Sequence, residues 1–163
     1  MNSIRIVEFP ACKAVTSGYA MNEAPFEEGG KILKFGEWWT KYDKKRKDRW
    51  FSRDFIMYGR EEKALIWFYA VPEEAEVECE YDVVDFEGGL YAAAVAIDSN
   101  FDDEQRIYGG IKEWVKQRGT FELDERPGHY DLSHVITPEY IAKQMGYMQL
   151  EIYLPIKLRQ KQD

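Results

Sequence analysis

Basic residues are in short supply. Lys and Arg number 22 against 30 Asp and Glu, so this 163-residue chain carries a net charge of -8 and a pI near 4.9. Phosphate backbones need a basic field, so specific nucleic-acid binding is set aside and cationic partners are favoured. Cysteine is scarcer still: Cys12 and Cys79 stand far apart without metal-ligand spacing, as expected of reduced thiols in a cytoplasm. The two histidines, His129 and His134, are five residues apart and fall on opposite faces of an extended segment. No Cys or carboxylate completes a metal set around them, and no nucleophile-base triad is legible. No run nears the ~18 apolar residues that cross a bilayer, and the first ten residues contain Glu8 and no signal-like stretch. The expectation is a cytoplasmic protein without a membrane partner. Gly29-Gly30, Gly88-Gly89 and Gly109-Gly110 fit neither a dinucleotide fingerprint nor a phosphate loop, so no cofactor is expected.

Aromatic side chains, by contrast, are plentiful: 9 Phe, 5 Trp and 11 Tyr. Such rings build cores, and they also line pockets for flat or cationic ligands. A 45% hydrophobic, 32% charged composition is globular, and the length suits one domain over residues 1–163.

The chain repeats itself. Ile6-Val7-Glu8-Phe9 returns as Val83-Val84-Asp85-Phe86, with Phe9 and Phe86 77 residues apart. Glu37-Trp38 returns as Glu113-Trp114 at an offset of 76. Two matches in the same order point to duplication, with repeats at roughly 4–75 and 80–157.

Both tryptophans fall in helical patterns. Ile32, Phe35, Trp39 and Tyr42 share one face of a first helix, and Lys41, Lys44, Lys45, Arg46 and Lys47 gather where cations suit its negative pole. That placement accounts for K-K-R-K without DNA. A second helix opens with Asp102, Asp103 and Glu104, buries Ile107, Ile111, Trp114 and Val115, and stops at Gly119. A short third helix is predicted from Thr137, with Pro138 as its first residue, to Met145. Strands are predicted at 65–71, 77–85, 90–97, around Tyr130 and Leu132, and at 149–156. The E-E-A-E-V-E-C-E run reads as a solvated edge strand and its loop. Each half thus reads strand, helix, strand, strand. The architecture expected is α+β, a mainly antiparallel sheet with helices on one face.

The last strand carries the most specific signal. Alternation puts Leu150, Ile152, Leu154 and Ile156 on one face and Glu151 with Tyr153 on the other. The apolar face should meet the helices. Glu151 then lies on the opposite face, partly desolvated and ready to attract a cation, ringed by aromatics if the duplicate strand brings Trp67 and Tyr69 alongside.

The duplicated halves, Y-G-G-I-K-E-W-V, P-G-H-Y-D-L and the terminal L-E-I-Y-L-P-I-K resemble the GyrI-like effector-binding domains. Those domains also form the ligand-sensing parts of AraC-type and multidrug-responsive regulators. The likeness runs from Ile4 to Lys157, and E-I-Y-L-P-I is its most specific element. It implies a ligand groove between the halves with Glu151 at its floor, and groove tyrosines at Tyr91 and Tyr130. The candidate ligand-binding set is therefore Glu151, Tyr153, Tyr130, Tyr91, Trp67, Tyr69 and Trp39. The resemblance implies a stand-alone binder of cationic or aromatic drug-like molecules. It leaves two alternatives open: hydrolysis of cyclopropane-bearing toxins by Glu151 and Tyr130, and a protein partner, gyrase or a regulator.

Overall fold

The computed structural model describes residues 3–21, 24, 26–47, 53–59, 61–72 and 77–160. In chain order the elements are β1 (Arg5–Phe9), β2 (Cys12–Thr16), α1 (Lys31–Asp43), β3 (Asp54–Gly59), β4 (Ala64–Val71), β5 (Asp82–Phe86) and β6 (Gly89–Ile97). They continue with α2 (Phe101–Arg118), β7 (Phe121–Leu123), β8 (Leu132–Val135), α3 (Glu139–Met145) and β9 (Gln149–Leu158). The fold is α+β. The chain divides into two compact units, residues 1–10 with 88–163, and residues 11–87.

In the first unit the strand order is β1-β6-β9-β8, every neighbour antiparallel, with β7 pairing the far end of β9. Alternation along β6 and β9 decides its layering. Ala92, Ala94, Ala96, Ile152, Leu154 and Ile156 face α2 and close a core with Ile107, Ile111 and Val115. The three alanines let the helix lie close to the sheet. Helix α2 follows its sequence signals: the Asn100 side chain caps the Asp103 amide, acids fill the first turn, Lys116 and Arg118 the last, and Gly119 takes the left-handed conformation at φ 69°. Helix α3 starts at Glu139, one residue past the predicted first helical position, with Pro138 as its cap. The Thr137 hydroxyl accepts instead from the Gln149 amide at 2.8 Å, so it anchors β9 and leaves the helix end uncapped.

In the second unit the order is β3-β4-β2-β5, again antiparallel throughout. Here Val15, Tyr69 and Val71 point toward α1 and pack on Phe35, with Trp38, Trp39, Tyr42 and Trp67 around them. The opposite face carries another aromatic run. Phe55 stacks on Phe68 at 5.4 Å, and Phe68 meets Phe86 at 5.3 Å.

The predicted strand-helix-strand-strand order is present as β2-α1-β3-β4, with β1 ahead of it pairing in the other unit. Strand β3, D-F-I-M-Y-G, carries no clean alternation and is not among the strands the sequence predicts. The strand expected over 77–85 begins only at Asp82. Val77, Cys79 and Tyr81 instead pack as a half-buried segment beside the α1 core. Of the acidic run at 73–80, residues 73–76 lie outside the described residues; β5 itself is the edge of its unit. At the end of α1 the basic cluster is partly neutralised, since Arg46 pairs with Asp43 at 2.8 Å.

Candidate functional site

Strand β9 turns Leu150, Ile152, Leu154 and Ile156 toward α2, which forces Glu151 and Tyr153 onto the helix-free face. There Glu151 is only 4% exposed. A buried carboxylate needs partners, and it has three charge-assisted bonds. Arg5 donates Nε to Oε1 at 2.7 Å and Nη2 to Oε2 at 2.6 Å, and the Tyr153 hydroxyl donates to Oε2 at 2.7 Å.

Arg5 lies two strands from Glu151, roughly 10 Å across the sheet. The intervening residue makes the reach feasible. Arg5 is registered on Ala93 of β6, and Ala93 on Tyr153 of β9, so one small side chain separates them. The expected lone carboxylate is thus already paired, a correction to the sequence reading. That pair is lopsided: the Glu151 side chain is 5% exposed and that of Arg5 61%. Among the described residues no hydrogen bond engages Arg5 Nη1, so the guanidinium turns one edge to solvent over a buried anion.

Aromatic rings complete the face. Phe9, on the same side of β1 as Arg5, meets Tyr91 and Tyr153 edge-on, each at 5.2 Å. Burial, then the Glu151 carboxylate, push the Tyr153 phenol above its ordinary range. Tyr91 is fully buried, and its hydroxyl has no hydrogen-bond partner among the described residues. Burial and then Asp124 and Asp131 raise its phenol too, with Arg126 opposing.

These acids belong to the 124–131 loop. Arg126 Nε reaches both Asp124 oxygens at 3.1 and 3.0 Å, and Arg126 Nη2 lies 2.6 Å from His129 Nε2. Tyr130 is half-buried in this loop, ahead of β8 and not within a strand as the sequence suggested. His134 faces Glu151 directly in the β8–β9 register. Among the described residues no group of His, Cys, Asp and Glu is arranged to hold a metal ion.

Three candidates belong to the second unit. Trp39 stacks on Tyr69 at 5.8 Å and meets Trp67 edge-on at 5.7 Å, all within the layer between α1 and β4. Tyr69 donates to Asp43 at 2.6 Å, and Trp67 Nε1 donates to Asp54 at 3.2 Å. Their rings are taken up by α1. The helix-free face of this unit bears Phe55, Phe68 and Phe86 instead, which the sequence reading did not name. In the first unit it missed Arg5 and Phe9, although alternation in R-I-V-E-F already sets both on one side of β1.

The profile of the Cass2 family, described as integron-associated effector binding protein, matches residues 5–156, from Arg5 of the ion pair to the last core residue of β9. The chain belongs to this family. Membership agrees with the effector-binding resemblance read from the sequence. Among curated proteins no relative matches the sequence. Solved structures share the fold at low identity. The C-terminal domain of EcmrR superposes with a TM-score of 0.64 at 11% identity, over 96% of this chain and 98% of that one. A hydrolase from Listeria innocua gives 0.63 at 12%, over 96% and 92%. SAV2435, solved bound to tetraphenylphosphonium, gives 0.54 at 11%, over 95% and 94%. Among the described residues no helix is long and apolar enough to cross a membrane.

Proposed function

We propose that this effector-binding protein takes up small aromatic, cationic molecules on the helix-free face of the first unit, with Glu151 as the anionic anchor. The observation that carries this reading is a carboxylate 4% exposed among Tyr153, Tyr91 and Phe9. Nothing in the packing of β9 calls for a charge there. The opposite side of the same strand supplies the core, and a buried ion is a poor source of stability. The tetraphenylphosphonium bound by SAV2435, a flat-sided organic cation on the same fold, supports the ligand class. Ring faces would add ~0.5 to 2 kcal/mol per cation-π contact, and apolar burial ~25 cal/mol per Å².

The test is calorimetric titration of tetraphenylphosphonium and the neutral triphenylphosphine oxide into the parent and Glu151→Gln. At ~4 Å and an effective dielectric of ~20 the bare attraction is ~4 kcal/mol, which desolvation reduces. The expected loss is therefore below that for the cation and close to zero for the neutral compound. Equal weakening of both would remove Glu151 from the role.

A hydrolytic reading has one observation in its favour, the buried Tyr91 hydroxyl without a partner among the described residues. Such a phenol could donate to an oxygen that gains charge as a strained ring opens, beside water oriented by Glu151. Mass spectrometry of a cyclopropane-bearing alkylating toxin incubated with the protein distinguishes it. A water adduct lost in Glu151→Gln and in Tyr91→Phe or Tyr130→Phe supports turnover, and intact toxin supports binding alone.

A further inference from the structure

The charge that solvent meets at this site is positive. Glu151 lies beneath, with both oxygens engaged, and the guanidinium of Arg5 covers it from above with its side chain 61% exposed. A second cation cannot form an ion pair with Glu151 while Arg5 holds that bidentate position. Nor does the approaching cation gain from the pair's field: at a distance the two charges largely cancel, and close up the exposed guanidinium repels it.

The origin of Arg5 gives this arrangement a consequence. β1 is an edge strand of its unit and, among the described residues, pairs there with β6 alone. The side chain spans Ala93 and leaves Nη1 without a hydrogen bond among the described residues. Its long stem has many rotamers with the head group in water, so release leaves the guanidinium solvated. The carboxylate has no such option. It is held by β9, by Tyr153 at 2.7 Å and by burial. Of the pair, Arg5 is the member with a solvated alternative.

We propose that Arg5 is a built-in counter-ion that occupies the cation subsite of Glu151, and that cationic ligands bind by displacing it. The proposal rests on the binding role assigned above to Glu151. It makes Arg5 a determinant of specificity: the residue raises the threshold for weak cations and leaves neutral aromatic ligands untouched. A ligand must then bring enough apolar surface to offset release of the guanidinium. That favours bulky lipophilic cations over small polar ones such as free amines.

The experiment titrates tetraphenylphosphonium and triphenylphosphine oxide into the parent, Arg5→Gln, Arg5→Lys and Glu151→Gln. Removing the competitor should tighten the phosphonium about tenfold in Arg5→Gln. Arg5→Lys, which keeps the charge but loses the two-toothed grip, should fall between the parent and Arg5→Gln. The neutral oxide should bind all four alike. Thermal melting gives a second readout. Arg5→Gln leaves a buried carboxylate unpaired, so it should melt below the parent and recover more on adding phosphonium than the parent gains. Phosphonium affinity unchanged or weaker in both Arg5 variants, while Glu151→Gln still selectively loses the cation, overturns the displacement idea and leaves the anchor role standing. Absence of phosphonium binding in every variant overturns both. An equal gain for the cation and the neutral oxide in Arg5→Gln also refutes the proposal, since it would report a loosened site and not a vacated charge.

Discussion

Two glycines at equivalent helical depth should respond to alanine with opposite signs. Gly109 lies in the interior of α2, exposed, and a methyl group added there meets nothing within 4 Å. Alanine in a helix interior is favoured over glycine by ~0.8 to 1 kcal/mol, so Gly109→Ala should stabilise by about that amount. Gly36 lies in the interior of α1 and is buried. A methyl there would sit 2.9 Å from Cζ3 of Trp67, 3.3 Å from Cη2 and 3.8 Å from Cε3. Carbon pairs rest at ~3.5 to 4.0 Å, so the indole would have to retreat by ~0.5 to 1 Å. It has little room to do so. Trp67 is tied by Nε1 to Asp54 at 3.2 Å and ringed by Trp39, Phe35 and Phe26 at 5.7, 6.3 and 6.5 Å. Overpacking of this kind costs ~1 to 3 kcal/mol, which exceeds the same helical gain. The net expectation for Gly36→Ala is a loss of ~1 kcal/mol. Urea denaturation followed by tryptophan fluorescence and by far-ultraviolet circular dichroism measures both variants. A chain of this size should shift in melting temperature by ~2 to 4 °C per kcal/mol. Gly36→Ala more stable than the parent would refute the claim that α1 sits on β4 at glycine-limited distance.

Other consequences are simpler to state. Asn100→Ala removes the cap of the Asp103 amide at 3.1 Å and should cost ~1 kcal/mol in the same denaturation assay, with Asn100→Asp recovering most of it. Burial, and next the hydrogen bond to Asp43, push the Tyr69 hydroxyl up to about 12 from an ordinary 10. The neutral phenol is the form the fold prefers, so that contribution is complete below pH 10 and disappears as pH rises toward 12. Tyr69→Phe should flatten this part of the alkaline stability profile; an unchanged profile would locate the alkaline loss elsewhere. Cys12 and Cys79 are both free and half-buried, so quantitative thiol labelling of the native protein should find two thiols reacting more slowly than in urea.

What the sequence revealed of the fold follows from where side chains have only one option. Helix α2 was legible to within a residue because acids, apolar stripe, basic last turn and Gly119 all agree. On β9 a strict alternation next to α2 left no second arrangement. β3 was hidden because Phe55 and Met57 are buried on one face while Asp54, on the other, is buried as well and satisfied by the Trp67 indole. Ile56 between Phe55 and Met57 continues the apolar run, and a run without alternation carries no period-two signature. Thr137 misled for a related reason. It has the chemistry of a helix cap, and only the long-range approach of Gln149 decides where its hydroxyl is used.

The site was legible by halves. Local pattern suffices to put Glu151 on the helix-free face, but it cannot supply the partner 146 positions away in sequence. Arg5 and Phe9 were visible as one side of β1; their meaning depends on β1 pairing with β6 and not with its own repeat's strands. The same exchange takes β5 to β2 in the other unit. An internal duplication invites the assumption that equivalent strands present equivalent faces, and here the assumption fails at Trp67 and Tyr69. On β9 the aromatic Tyr153 looks away from its helix, whereas on β4 Trp67 and Tyr69 look toward theirs and only Phe68 between them looks away. The difference follows from what each helix brings. α2 buries Ile107, Ile111 and Val115 on aliphatic and alanine positions and keeps Tyr108 and Trp114 at the margin of that core, where Trp114 stacks on Phe121, so the sheet can hold its rings and its charge on the free face. α1 offers Phe35, Trp38 and Trp39, whose planes need other rings to stack on, and they draw Trp67 and Tyr69 inward. One unit thus keeps an acid among aromatics on its free face, and the other commits most of its aromatics to its core.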